Sequence, residues 1–281
     1  MSSHITLVHR TCYEYDRPVS MGPQIIRLRP MPDSRTPVLS YMLKIEPRGC
    51  NLGWQLDQHG NETACVSFGG QVTHFDIEVS LVADIAPYDP LANLMDNAEG
   101  TGDAGVDCAY SRQLPLGADA LAFLREWQDG TPTDAVPRLI SLNKAITARV
   151  RYERRMEPGV LSAQDILRHG CGSCRDSAWF LVALARHMGY RARFVSGYLV
   201  QSARTAGEEE VLTGDLHAWA QVCLPGKGWI GFDTTSGMLA GEGHIPLAAA
   251  ATPEDAAPVS GLLDRCEARF NVSMQVQRLY A

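Results

Sequence analysis

The chain has 281 residues, a hydrophobic content of 45% and a formal charge of −7 at pH 7, enough apolar material for one large domain or two modest ones. Its charges are dispersed without a basic stripe, so nucleic acid is not an expected partner. No apolar run approaches the roughly 18 residues of a membrane span, and residues 1–10 lack the apolar stretch of a signal peptide, so the expected address is cytoplasmic with no membrane contact.

Eight cysteines in a chain of this length do not read as a disulfide framework. Cys12, Cys50, Cys65, Cys108, Cys223 and Cys266 are scattered, each suited to the role of a small buried hydrophobe. Only Cys171 and Cys174 lie close in sequence.

Residues 3–86 read as strands. Residues 5–9 and 11–15 are short and rich in β-branched and aromatic side chains, and residues 24–29, 38–46, 50–57, 63–68 and 74–83 repeat the pattern between Gly, Asn and Pro breaks. Gln58-His59-Gly60-Asn61 has the composition of a hairpin turn. The spacing predicts an antiparallel sandwich-like domain over 1–86. His4, His9, His59 and His74 lack ligand spacing, so no metal site is expected there. Residues 87–115, with Pro87, Pro90 and the run 99–105, read as an exposed connector or flap.

The pattern then turns helical over 119–128 and 134–150, with Pro137 near the second start, where proline is tolerated. Ser162 is a candidate N-cap for a short helical turn. Next comes Gly170-Cys171-Gly172-Ser173-Cys174-Arg175-Asp176, a Gly-rich turn leading into Ala178, Leu181, Val182, Ala185 and Met188 at helical spacing. Cys174 therefore sits in the first turn of a core helix, where the unpaired N–H groups and the positive end of the dipole favour a thiolate. Residues 192–200 and 217–224 alternate with period two, 203–210 read as a charged loop, and Gly228 to Asp233 form a third strand. Helices followed by an antiparallel sheet predict an α+β core over 116–281 with a C-terminal extension.

A cysteine at a helix start, His217 on one strand and Asp233 on the next suggest a nucleophile, its base and the group that orients the base. A hairpin loop of Cys223 to Lys227 would pair Val222 with Gly228 and set His217 directly opposite Asp233, about 5 Å apart at Cβ. Leu224 paired with Trp229 would instead leave the two about 10 Å apart along the strand. The first register, or a bulge equivalent to it, is expected, with Trp219 and Trp229 flanking the pair and excluding water.

These segments resemble the transglutaminase-like superfamily of bacterial proteins, papain-like enzymes in which a cysteine opens a helix and His and Asp come from adjacent strands. The resemblance is carried by Gly172 to Asp176, Ala192 to Tyr198, His217-Ala218-Trp219 and Gly228 to Asp233, with Thr234 and Cys171 as departures. The strands before Pro87 are similar to the β-domain that often precedes this core. The run from Leu239 to Leu247 resembles a subgroup in which the module heads a longer polypeptide. The resemblance implies acyl transfer: a Cys174 thioester formed on a protein or peptide amide, His217 as imidazolium and proton donor, Asp233 fixing the histidine, and the Cys174 N–H as an oxyanion donor. The acceptor is an amine or water. No cofactor or metal is implied.

Trp219, Tyr198 and Trp229 are either core or pocket wall and are the candidate substrate-binding residues, and His244 is either a cleft residue or an exposed loop histidine. Gln164 is a candidate second oxyanion donor only by analogy. Arg175-Asp176 is expected to shape the helix start. Cys171-Gly-Ser-Cys174 also allows a redox pair or half a zinc site, but the thioredoxin-like βαβ setting and the second ligand pair are missing. Cys171 is then a loop residue able to trap Cys174 as a disulfide. A catalytically silent binding module on the same fold is the remaining alternative.

Overall fold

The computed structural model describes residues 3–92, 104–203 and 210–279. The strand-rich start forms β1 (His4–Val19), β2 (Met21–Ile26), β3 (Val38–Glu46), β4 (Asn51–Leu56), β5 (Glu62–Ser67) and β6 (Val72–Asp84). The two short strands expected over 5–9 and 11–15 are one continuous β1, because Ile5, Leu7, His9 and Thr11 keep alternating inward. The turn at 58–61 joins β4 to β5 with Leu56 opposite Glu62, and Gly60 supplies its left-handed residue at φ 81°.

Of the expected connector over 87–115, residues 93–103 lie outside the described residues. Its far end is helix α1 (Ala104–Ser111) rather than loop. The helices α2 (Ala118–Gln128) and α3 (Ala135–Arg149) follow, the latter burying Leu139, Leu142 and Ile146. The short pair β7 (Arg151–Tyr152) and β8 (Cys171–Gly172) brackets α4 (Ala163–His169). Ser162 caps α4 as its sequence suggests, accepting the Asp165 N–H at 3.1 Å. Then α5 (Cys174–His187) enters the core.

The remaining core strands are β9 (Arg191–Ala203), β10 (Val211–Leu224), β11 (Gly228–Asp233), β12 (Met238–Leu239) and β13 (His244–Ala250). They form one antiparallel sheet in the order β12-β11-β10-β9-β13. The charged loop expected over 203–210 falls on 204–209, outside the described residues. The central strand β9 is buried from Ala192 to Tyr198 without alternation. Phe194, Ala218 and Ala220 pack with Leu181 and Ala185 of α5. Further along the sheet, Tyr198, Val200 and Ile245 join Ile5, Leu7 and Phe75 of the N-terminal strands. Two apolar cores thus share one sheet.

The C-terminal residues do not extend this sheet. Strands β14 (Val259–Leu263) and β15 (Ala268–Arg278) return to the N-terminal sheets, giving the orders β14-β2-β5-β4 and β15-β1-β6-β3. β15 covers the edge of β1 from Ile5–Arg278 to Tyr15–Ala268, which removes a long unpaired strand edge. The fold is therefore α+β: a two-sheet antiparallel sandwich against a helix-and-sheet core. Among the described residues no helix is long and apolar enough to cross a membrane.

Candidate active site

The position of Cys174 is built from its turn. Gly170 ends α4 with φ 65°, and β8 carries the chain past Gly172, where a Cβ would stand 3.1 Å from Asp176 and 3.2 Å from Ile166, so only glycine fits without displacement. Ser173 is the N-cap of α5 and Cys174 its first residue. The fully buried Asp176 carboxylate accepts the Ser173 N–H at 2.8 Å, the Ser173 hydroxyl at 2.7 Å and the Leu161 N–H at 2.7 Å. It also pairs with Arg155 at 3.1 Å. Burial alone would raise its pKa; these donors hold it below the usual carboxylate range. Arg175 donates to the Arg155 and Glu157 carbonyls. As expected, Arg175 and Asp176 shape the helix start, and they tie it to residues 155–161.

Cys171 does not face Cys174. Its thiol hydrogen-bonds the Glu153 carboxylate, which with burial raises its pKa, and all eight cysteines are free. The parallel β7–β8 pairing directs this side chain to Glu153 and leaves no sign of a Cys171–Cys174 disulfide.

The expected hairpin register is corrected. Leu224 pairs with Gly228 and Ala220 with Phe232, the loop being Pro225 to Lys227. One step on, Asp233 lies level with Trp219, and His217 is its diagonal neighbour on the same face. The pair still meets, because a diagonal separation is within reach of an imidazole. His217 Nε2 stands 3.1 Å from Asp233 Oδ1. With Nε2 engaged by the carboxylate, Nδ1 is the nitrogen left for the Cys174 sulfur, to which His217 is hydrogen-bonded. Burial of the ring lowers its pKa, but the bonds to Asp233 and Cys174 and the charges of both outweigh this and raise it from 6.5 to about 9.

Asp233 is 2% exposed and has four donors. Oδ1 also accepts the Thr235 N–H at 2.9 Å, and Oδ2 accepts the Ser236 hydroxyl at 3.0 Å and faces His244 Nε2 at 3.4 Å. Burial would raise its pKa; the bonds from His217, His244 and Thr235 hold it far below the ordinary carboxylate value. Asn143 of α3 fixes the Asp233 carbonyl at 3.1 Å, and Thr234 donates to Ser177 of α5 at 2.9 Å. The strand carrying the carboxylate is thereby locked to the helix carrying the thiol.

Cys174 and His217 line a cleft of about 510 Å³. One wall is Tyr152, Arg154 and Met156. The other comes from the N-terminal sandwich: Thr11 and Tyr13 of β1, Phe270 and Val272 of β15. Sequence reasoning missed this second wall, since nothing local joins residue 13 or 270 to residue 174.

None of the three expected cleft aromatics lines the cleft with Cys174; Trp219 is buried and packs behind the His–Asp pair. Its ring stacks on His217 at 6.4 Å and meets His244 edge-on at 5.1 Å. It needs Gly197, where a Cβ would come within 2.4 Å of the indole. Tyr198 is a correction: it is wholly buried, bonded to His9 Nδ1 at 3.0 Å, and belongs to the joint between sheets. Trp229 is another: it stacks under Arg193 at 4.3 Å and lines a separate cavity of about 280 Å³ that also touches Trp219 and His244. It pairs with Cys223, four residues before Asp233 and about 13 Å along the strand, so it lies away from the pair although it shares their alternation. Gln164 packs against Gly117 and does not line the cleft.

His217, Asp233 and His244 place their ligand atoms within 4.8 Å of one another, a set with the composition of a metal site. The tautomer argues against that use. His244 Nδ1 accepts the Gly241 N–H at 3.2 Å, so in the neutral ring the proton sits on Nε2, which makes it a donor to Asp233 rather than a ligand.

Comparison with known proteins agrees with this geometry. Residues 5–84 match the profile of the bacterial transglutaminase-like N-terminal region, and residues 122–234 that of the transglutaminase-like superfamily. An uncharacterized protein of Mycobacterium leprae is 25% identical, the match covering 97% of this chain and 98% of the relative. One from Mycobacterium tuberculosis is 21% identical over 92% and 86%. A crystal structure of a candidate cysteine protease from Cytophaga hutchinsonii superposes with a TM-score of 0.71 at 17% identity, covering 99% of this chain and 91% of that one, a likeness of fold. The two profiles fall on the sandwich and on the core that holds Cys174, His217 and Asp233, a fold suited to cysteine-dependent catalysis. The chain belongs to the transglutaminase-like superfamily, with the bacterial N-terminal region ahead of the superfamily core.

Proposed function

We propose that the protein is a cysteine-dependent acyltransferase or hydrolase acting on amide bonds of a protein or peptide. The observation that carries this reading is the convergence of Cys174, His217 and Asp233 from a helix start and two strands at one cleft. The Cys174 thiolate attacks the amide carbonyl and forms the C–S bond. The Cys174 N–H, unpaired at the first helical position, is placed to bind the developing oxyanion. His217 gives its proton to the leaving amine as the C–N bond breaks, and Asp233 holds the ring in the required orientation. An amine or water then attacks the thioester, passing its proton to His217 and releasing the sulfur.

Amine incorporation and ammonia release, measured side by side on glutamine-bearing peptides, test the reading. At least one is expected with the wild type and neither with Cys174→Ala. Ammonia leaves as the thioester forms, whichever acceptor follows, so release together with incorporation identifies an amine acceptor and release without incorporation identifies water. If both remain absent while Cys174 alkylates no faster than the other thiols, the protein is instead a binding module on this fold.

A further inference from the structure

We propose that His244 is a positioning residue of the same site, holding the Asp233 carboxylate so that Oδ1 stays aimed at His217. The inference rests on the acyl-transfer reading above. Asp233 has four donors, but they differ in what they are attached to. Thr235 and Ser236 lie in the turn that follows Asp233 and move with it, so they cannot set the carboxylate against His217. His244 is different. It is the first residue of β13, paired to Leu199 of β9, and β9 in turn pairs Gly197 with His217. One rigid sheet therefore carries both histidines, and the carboxylate is held between them, Oδ1 to His217 at 3.1 Å and Oδ2 to His244 at 3.4 Å.

Two further contacts give His244 a defined donor state and place. The Gly241 N–H on Nδ1 fixes the proton on Nε2. The Trp219 indole meets the His244 ring edge-on at 5.1 Å and lies stacked on His217 at 6.4 Å between centroids, packing beside both rings. His244 reaches Asp233 from the side of the smaller cavity, while His217 opens on the cleft with Cys174. It touches neither the thiol nor the cleft, and its effect on chemistry passes through Asp233.

Alkylation of Cys174 by iodoacetamide at neutral pH, followed by peptide mass spectrometry, tests this without a known substrate. The wild type and His217→Ala set the range of rates. His244→Phe is expected to slow Cys174 about tenfold, the scale of one hydrogen bond to a charged group, and His244→Gln, which keeps an N–H donor, to recover most of the rate. If the Phe variant fails to fold by circular dichroism, His244→Ala takes its place. The His217 ring N–H resonance is the second readout: it shifts or broadens in the Phe or Ala variant and persists in the Gln variant. A slow His217→Ala protein beside an unaffected His244→Phe or Ala protein overturns the positioning role and leaves the acyl-transfer reading in place. A Gln variant no faster than the Phe or Ala variant also overturns it. Equal rates for wild type and His217→Ala overturn the acyl-transfer reading itself.

Discussion

At the residue scale, His217 joins a buried carboxylate to a thiol, and in the proposed reaction its proton is the one that moves. Its pKa is raised to about 9, so the imidazolium that the proposed reaction needs to protonate the leaving amine persists through neutral pH. Turnover is expected to hold into mildly alkaline solution and to fall as pH passes about 9, where the proton donor is lost. The sign for stability is the same. A raised folded-state pKa contributes stability that is complete below the unfolded value of 6.5 and is lost as pH rises through about 9. A kcat profile and thermal melts over the same alkaline range should therefore decline together. In His217→Ala the melting decline should shrink, and kcat should drop by about 10² to 10⁴ at every pH. A wild-type melting temperature that stays flat through this range would contradict the raised value.

The start of α5 is the element on which the site depends. Asp176 is buried, accepts three hydrogen bonds from Ser173 and Leu161, and pairs with Arg155. Asp176→Ala removes the capping acceptor and leaves a partly buried arginine without its partner, so a loss of about 3 kcal/mol is expected from denaturant unfolding. The helix start was legible in sequence, because Gly-Ser-Cys followed by a helical apolar pattern has few other readings. The hairpin register was not. Loops of Cys223 to Lys227 and of Pro225 to Lys227 both fit Pro-Gly-Lys-Gly, and the choice lies in turn geometry, with Gly226 at φ 68° and Gly228 at φ 70°. His217 and Asp233 meet even so, because directly opposed and diagonal residues share a face when the shift between registers is even.

At the scale of the whole molecule, the sandwich does more than precede the core. β1 and β15 supply Tyr13 and Phe270 to the cleft. Phe270→Ala, at a site 44% exposed, is expected to raise KM several-fold for peptide substrates and to leave the Cys174 alkylation rate unchanged, since the residue contributes apolar contact area and no charge. Equal KM values would remove the sandwich from substrate binding. The sequence by itself determined the fold class, the helix that presents Cys174 and the identities of His217 and Asp233, because each depends on residue type and on periodicity within a dozen neighbours. Tertiary structure alone decided the destinations of Tyr198 and Trp229, the return of 259–278 to the first sheets, the second cleft wall and the place of His244. Those outcomes depend on strand register and on contacts between residues up to 275 apart, for which local pattern carries no signal.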